Sequence, residues 1–225
     1  YSKTPSAKRQ GRIVGVVGAE STGKTTLTQD LFLALVARGH DAVVVPETLR
    51  EFCNAHSRAP HRDEQATLAS EHSRRICDAA QSHALVLADT TALMTAVYSE
   101  MVFEDRGLYE AAMAEHARCE LTLLTSLDLP WVADGLQRDG PHVREPVDRL
   151  IRQALMDAGQ PFGIVAGQGE QRLRHALAMI EHMLDAPARI RRSNSGPRWR
   201  AVCTHCDDDA TCELHWLTRG LINEG

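Results

Sequence analysis

The sequence predicts an α/β domain, a five-stranded parallel sheet with helices on both faces, followed by a small cysteine-containing tail. Three observations predict it. Short apolar runs alternate with longer stretches of helical periodicity, the pattern of parallel strands joined by right-handed crossovers. The first run, Ile13-Val14-Gly15-Val16-Val17, leads into Gly18-Ala19-Glu20-Ser21-Thr22-Gly23-Lys24-Thr25, which spells Gly, four residues, Gly, Lys, then Ser or Thr. A later run, Ala84-Leu85-Val86-Leu87-Ala88, ends in Asp89.

Composition bounds the rest. The 225 residues suit one α/β domain with an appendage. With 43% hydrophobic residues and only 4% aromatic ones, the core must be large and mostly aliphatic. A formal net charge of −5 argues against a general polyanion-binding protein. No apolar run reaches the ~18 residues of a membrane span. The polar start, Tyr1-Ser2-Lys3-Thr4-Pro5, has no signal-peptide core, so a cytoplasmic protein is expected. A start at Tyr1 suggests that a few residues precede it.

Residues 1–11, with Lys3, Lys8 and Arg9 among small polar residues, read as a disordered basic arm. The phosphate loop follows the first strand. Its glycines let successive backbone N–H groups curl around phosphate oxygens, and the helix N-terminus adds a favourable dipole. Lys24 reaches the β- and γ-phosphates, and the Thr25 hydroxyl is placed for Mg²⁺, with Thr26 next to it. Leu27, Leu31 and Leu35, with Phe32 and Val36 beside them, carry the helix to about Arg38, where Gly39 stops it.

Ala42-Val43-Val44-Val45 is a short buried strand ending at Pro46-Glu47. Ligands of open α/β sheets sit beyond the strand carboxyl ends, so Glu47 lies where a phosphoryl acceptor would approach. A glutamate there also suits a solvated helix N-terminus. Residues 56–62 read as a loop and Asp63 as the cap of a helix over 64–81, with Arg74 and Arg75 on its solvated face. The strand ending in Asp89 resembles a Walker B strand, whose terminal acid holds Mg²⁺ directly or through water. Thr90, Thr91 and Thr95 follow it, either contacting substrate or capping the next helix.

Residues 92–118 read as helical with a break near Asp105-Arg106-Gly107, and 120–125 as the fourth strand. The segment from Asp128 to Gly140 holds one Pro, two Gly and several charges, which suits a lid whose Arg138, with Arg144 after it, swings onto phosphates. Surface arginines on an exposed turn are the simpler reading of both. A helix over 146–158, a strand over 162–165 and a helix over 168–184 close the domain, with Leu173, Leu177, Ile180 and Leu184 as core.

These parts sharpen the fold class to a P-loop NTPase of nucleoside- or nucleotide-kinase type. The chain resembles the P-loop kinase domain of NadR-type proteins, the nicotinamide riboside kinases, and the AAA-like ATPases akin to them. The resemblance rests on the phosphate loop with its Ala-Glu-Ser, and on Glu47 with Arg50-Glu51-Phe52. Leu87-Ala88-Asp89-Thr90 with Thr95, and Trp131 with Asp134-Gly135-Leu136, complete it over roughly residues 12–185. It implies ATP–Mg²⁺-dependent phosphorylation of a ribosyl hydroxyl on a nucleoside-like substrate. Loop residues 18–26 would hold ATP, and Thr25 with Asp89 would hold Mg²⁺. Lys24, Glu47, Asp89 and Arg138 would carry the chemistry, with Glu47 or Asp89 orienting or deprotonating the hydroxyl. Glu47, Arg50, Thr90, Trp131 and Asp134 would contact the substrate. In the kinases a Trp precedes the strand-end Glu and suits a cationic ring, a contact worth about 0.5–2 kcal/mol. Here that position is Pro46.

Six cysteines fall into two groups. Cys53, Cys77 and Cys119 read as scattered, reduced thiols. Residues 187–201 form a basic linker with five arginines, and 202–225 a tail carrying Cys203-Thr204-His205-Cys206 and Cys212-Glu213-Leu214-His215. Cys203, Cys206, Cys212 and His215 suit tetrahedral Zn²⁺ as a structural staple, with His205 as an alternative fourth ligand and unligated thiols as the other reading. The function classes rank as a small-molecule kinase, then a regulatory ATPase whose nucleotide state controls partner or nucleic-acid binding. A nucleic-acid end kinase using the basic tail comes last, given the acidity of the chain.

Overall fold

Arg12–Val17 forms β1 and Lys24–Ala37 forms α1, with the phosphate loop between them. The computed structural model describes residues 10–132 and 140–185, and those residues lie within the first of two units, 1–186 and 187–225. The order continues with β2 (Ala42–Val45), α2 (Thr48–His56), α3 (Arg62–Ser82), β3 (Leu85–Asp89) and α4 (Ala92–Phe103). Then come α5 (Tyr109–His116), β4 (Leu121–Thr125), α6 (Arg144–Asp157), β5 (Gly163–Val165) and α7 (Gly169–Asp185). A single 3₁₀ turn, Pro141–Val143, precedes α6.

All four strand pairs are parallel, as the alternating pattern predicts, and the structure sets the sheet order as β2-β3-β1-β4-β5. Because strand side chains alternate between faces, β1 feeds two cores. Val14 and Val16 join Leu27, Leu31 and Leu35 of α1 and Leu177 and Ile180 of α7 on one side. Val17 packs on the other side with Leu93 and Val97 of α4 and Val147, Ile151 and Leu155 of α6. Ile13 joins Val45, Val86 and Ile76 of α3 in a third cluster. The cores are aliphatic, as the low aromatic content requires.

Thr48–His56 is a full helix with Glu47 at its N-cap, Thr48 and Cys53 buried and Leu49 and Phe52 half-buried. One local reading needs correction. Asp63 does not cap α3. The helix starts at Arg62, two residues earlier than expected, and Glu64 reaches back to accept the His61 N–H at 2.7 Å, so the reciprocal cap belongs to the His61–Glu64 pair. The break between α4 and α5 falls where expected: Glu104 closes α4 at φ 54° and the Gly107 N–H donates to Asp105 Oδ1 at 2.9 Å. Among the described residues no helix is long and apolar enough to cross a membrane.

Candidate active site

The tight turn after β1 is sterically dictated. Gly18 sits at φ 154°, and a Cβ there would lie 2.0 Å from Thr125 Oγ1 on β4. Gly23, at φ 72°, turns the chain into α1. Between them the Thr22 hydroxyl donates to the Ala19 carbonyl at 2.7 Å and shares a 2.7 Å bond with the Thr125 hydroxyl. From behind, Arg172 of α7 donates to the Thr22 carbonyl at 2.6 Å and to the Gly167 carbonyl at 3.1 Å, and pairs with Asp128 at 3.3 Å. The loop is thus held by β4 and α7 as well as by its own backbone.

Lys24 is buried, and its ammonium donates to the Ala19 carbonyl at 2.9 Å. Burial lowers its pKa, opposed by the charges of Glu47 and Asp89. Asp89 ends β3 beside Val16 of β1 and is buried. Burial raises its pKa, opposed by the Thr25 hydroxyl, while the Glu47 charge adds to the rise. The Thr25 hydroxyl is near enough to favour the Asp89 anion but makes no hydrogen bond to it. Thr25 Oγ1 and Asp89 Oδ1 are both buried oxygens without a hydrogen-bond partner. A buried hydroxyl and carboxylate left in this way are the hard oxygen pair that Mg²⁺ takes when phosphate and water complete its shell. The residues therefore fit that ion.

Glu47 is buried at the N-cap of α2, and Arg50 Nε donates to its carboxylate at 3.2 Å. Both line a cavity of about 400 Å³ whose wall also includes Glu20, Ser21 and Lys24. Its far side is built by Leu49 and Cys53 of α2, Gln65 of α3, and Tyr98 and Phe103 of α4. One end is charged and abuts the phosphate loop; the other is largely apolar, the usual make-up of a small-molecule site. Thr26, on the first turn of α1, is exposed.

The fold therefore brings Glu20, Ser21, Lys24, Glu47 and Arg50 to one cavity, with Thr25 and Asp89 beside it. Thr90 is buried, its carbonyl lies 3.1 Å from His72 Nε2, and it is not among the residues lining the cavity. Trp131 does not line it either, although the next residue covers the loop: the Ser21 hydroxyl donates to the Val132 carbonyl at 2.8 Å. Arg144 is corrected. It is buried and donates to the carbonyls of Leu127 and Leu129, so it braces the chain after β4 and is neither phosphate-facing nor a surface arginine. Asp134 and Arg138 lie outside the described residues, as do residues 1–9 of the arm expected over 1–11, the linker and tail, and with them Cys203, Cys206, Cys212 and His215, whereas the Gly11 N–H at the end of that arm donates to the Ala80 carbonyl at 2.7 Å. Among the described residues no group of three or more His, Cys, Asp or Glu side chains could hold a metal.

Sequence reasoning missed Arg172, His72 and Cys53. Arg172 had a signal: it lies on the buried stripe of α7 with Ala176, Ile180 and Met183, and a charge on an apolar stripe needs partners. The other two had none, because their contacts are made only across the fold.

Residues 13–172 match the family described as AAA domain. Among solved structures, a NadR protein in complex with NAD and AMP-PNP superposes with a TM-score of 0.63 at 21% identity, covering 82% of this chain and 52% of that one. A NadR protein in complex with NR gives a TM-score of 0.63 at 23% identity, covering 79% and 52%. At this identity the likeness establishes the fold, and the chain spans about half the length of these structures. No curated protein matches.

Proposed function

As the chain belongs to the AAA domain family over residues 13–172, a nucleotide-binding P-loop domain, we propose that it transfers the γ-phosphoryl group of ATP to a hydroxyl of a small nucleoside-like molecule. One observation carries this reading: Lys24 of the phosphate loop and Glu47 of the strand tip line the same cavity of about 400 Å³. A pure ATPase has no need of an acceptor-sized chamber on that side of the loop. The NadR structures, one holding AMP-PNP with NAD and one holding NR, support a nucleoside-like occupant.

The roles follow from placement. The loop amides bind the phosphates. Lys24 exchanges the Ala19 carbonyl for phosphate oxygens, so its present bond keeps the ammonium poised inside the loop. Thr25 and Asp89 would hold Mg²⁺, which would supply charge neutralisation for the phosphates. Glu47 accepts the proton of the acceptor hydroxyl, and its bond to Arg50 limits where the carboxylate can point. The acceptor oxygen bonds to the γ-phosphorus as the bond to the β,γ-bridging oxygen breaks. The leaving electron pair stays on ADP and the proton goes to Glu47. Positioning and fixed charge supply most of the acceleration. Pro46 supplies no aromatic ring next to Glu47 in the chain, so the acceptor's ring would rest on the apolar wall of the cavity, which includes Tyr98 and Phe103.

Incubation with ATP, Mg²⁺ and a panel of nucleosides, read by mass spectrometry, tests the proposal. One nucleoside is expected to gain a phosphate, with Glu47→Gln reducing turnover about 10²-fold or more. ATP consumed with no phosphorylated acceptor would instead support a regulatory ATPase.

A further inference from the structure

His72 carries no motif, yet it touches the residue after each of the two acids. It is buried on α3. Its Nδ1 lies 2.9 Å from the Thr48 hydroxyl, the residue following Glu47, and its Nε2 lies 3.1 Å from the Thr90 carbonyl, the residue following Asp89. The carbonyl can only accept, so Nε2 bears the hydrogen. A neutral ring then presents Nδ1 as the acceptor for the Thr48 O–H. Both ring nitrogens are used, and they tie the tips of two adjacent strands, β2 and β3, to one rigid plane.

The Thr90 end is the unusual one. Thr90 sits at φ 72°, a conformation costly for a β-branched residue, and such strain persists only where the surroundings over-determine it. Its N–H donates to the Val16 carbonyl at 3.0 Å and its carbonyl accepts from His72, so the peptide is held from both sides. Relaxation of Thr90 would rotate the backbone directly after Asp89 and re-aim the carboxylate that, with Thr25, fits Mg²⁺.

We propose that His72 is a positioning residue of the phosphoryl-transfer site, a single imidazole that holds Glu47 and Asp89 in register by bonding Thr48 and the strained Thr90. This rests on the kinase reading, but it is readable without turnover. Groups that orient a metal ligand from behind typically change metal affinity or activity by about 10–100-fold when lost.

The test is calorimetric binding of AMP-PNP with Mg²⁺ and with excess EDTA, accompanied by thermal melts. His72→Leu is expected to leave metal-free nucleotide affinity near wild type and to cut the Mg²⁺-dependent gain about tenfold. His72→Gln, whose amide N–H can still reach the Thr90 carbonyl, is expected to recover most of it. In a Thr90→Gly background, where φ 72° carries no strain, His72→Leu is expected to cost much less, so the two changes are non-additive. Should His72→Leu fail to fold, His72→Asn, which keeps an acceptor for Thr48 but drops the donor to Thr90, carries the same comparison. A folded variant with the wild-type Mg²⁺ gain, or strict additivity with Thr90→Gly, overturns the proposal. Failure of the wild-type chain to phosphorylate any nucleoside would sink the kinase reading while leaving this comparison intact.

Discussion

The Arg172 guanidinium donates a 2.6 Å hydrogen bond to the Thr22 carbonyl, joining residues 150 positions apart in the chain. Through it the last helix of the domain grips the phosphate loop. Its fork also reaches Gly167 and Asp128, so the same side chain links the loop to the turn before α7 and to the end of β4. Burial lowers the Arg172 pKa, opposed by the Asp128 charge.

Arg172→Met should therefore loosen the loop as well as the fold. It leaves the buried Thr22 carbonyl without this donor, a loss that costs about 1–3 kcal/mol, whereas the exposed Asp128 keeps the Gly167 N–H. Arg172→Lys should recover little, because one ammonium cannot span three acceptors set for a planar fork. Urea denaturation is expected to show a lower midpoint for both, and calorimetry a weaker affinity for AMP-PNP. A methionine variant that binds nucleotide as tightly as wild type would confine Arg172 to a folding role.

On the proposed function, the chamber beside Glu47 holds the acceptor while the phosphate loop holds ATP. Cys53 lines it from α2, so Cys53→Phe should occupy acceptor space while leaving the phosphate loop untouched. The expected result in steady-state kinetics is an acceptor KM raised about tenfold or more, with the KM for ATP changed less than about twofold. Equal rises in both would mean that the cavity is not the acceptor site.

A second buried histidine sets an acid limit. His116 bridges the Thr91 and Thr122 hydroxyls at 2.9 Å each, and burial pushes its pKa down to about 4. The unfolded imidazole titrates near 6.5. Between these values the unfolded chain binds a proton that the folded chain refuses, so stability is fully present above about pH 6.5 and falls as the pH drops towards 4. The loss is at most about 3 kcal/mol. The pKa of His72 is lowered in the same direction, first by burial. Thermal melts should show a falling Tm from pH 7 to pH 5, and His116→Leu should have a lower Tm at pH 7 but a shallower slope. An unchanged slope in that variant would acquit His116.

Much of this architecture was written in local patterns. Unbroken runs such as Leu85–Asp89 can only be strands covered on both sides, and Gly-x₄-Gly-Lys-Thr needs the strand before it and the helix after it. Glu47 and Asp89 were legible for the same reason: each ends an apolar run, and strand tips are where open sheets bind ligands. The helix Thr48–His56 carries Leu49, Phe52 and Cys53 at helical spacing, but nine residues are too short a stretch to set its bounds from that pattern. Arg144 looked like a site or surface residue because polar groups near a Gly-rich segment look alike whether they face a ligand, solvent or a backbone carbonyl.

By itself the sequence determined the fold, the phosphate-loop pattern and the two acids at the strand ends, because these depend on residue spacing within one strand, one turn or one helix. Only the tertiary structure decided which acids share a cavity with Lys24, and that Arg172 and His72 hold the loop and the strand tips. Those contacts join residues far apart in the chain, where hydrogen bonding across packed elements leaves no periodic trace.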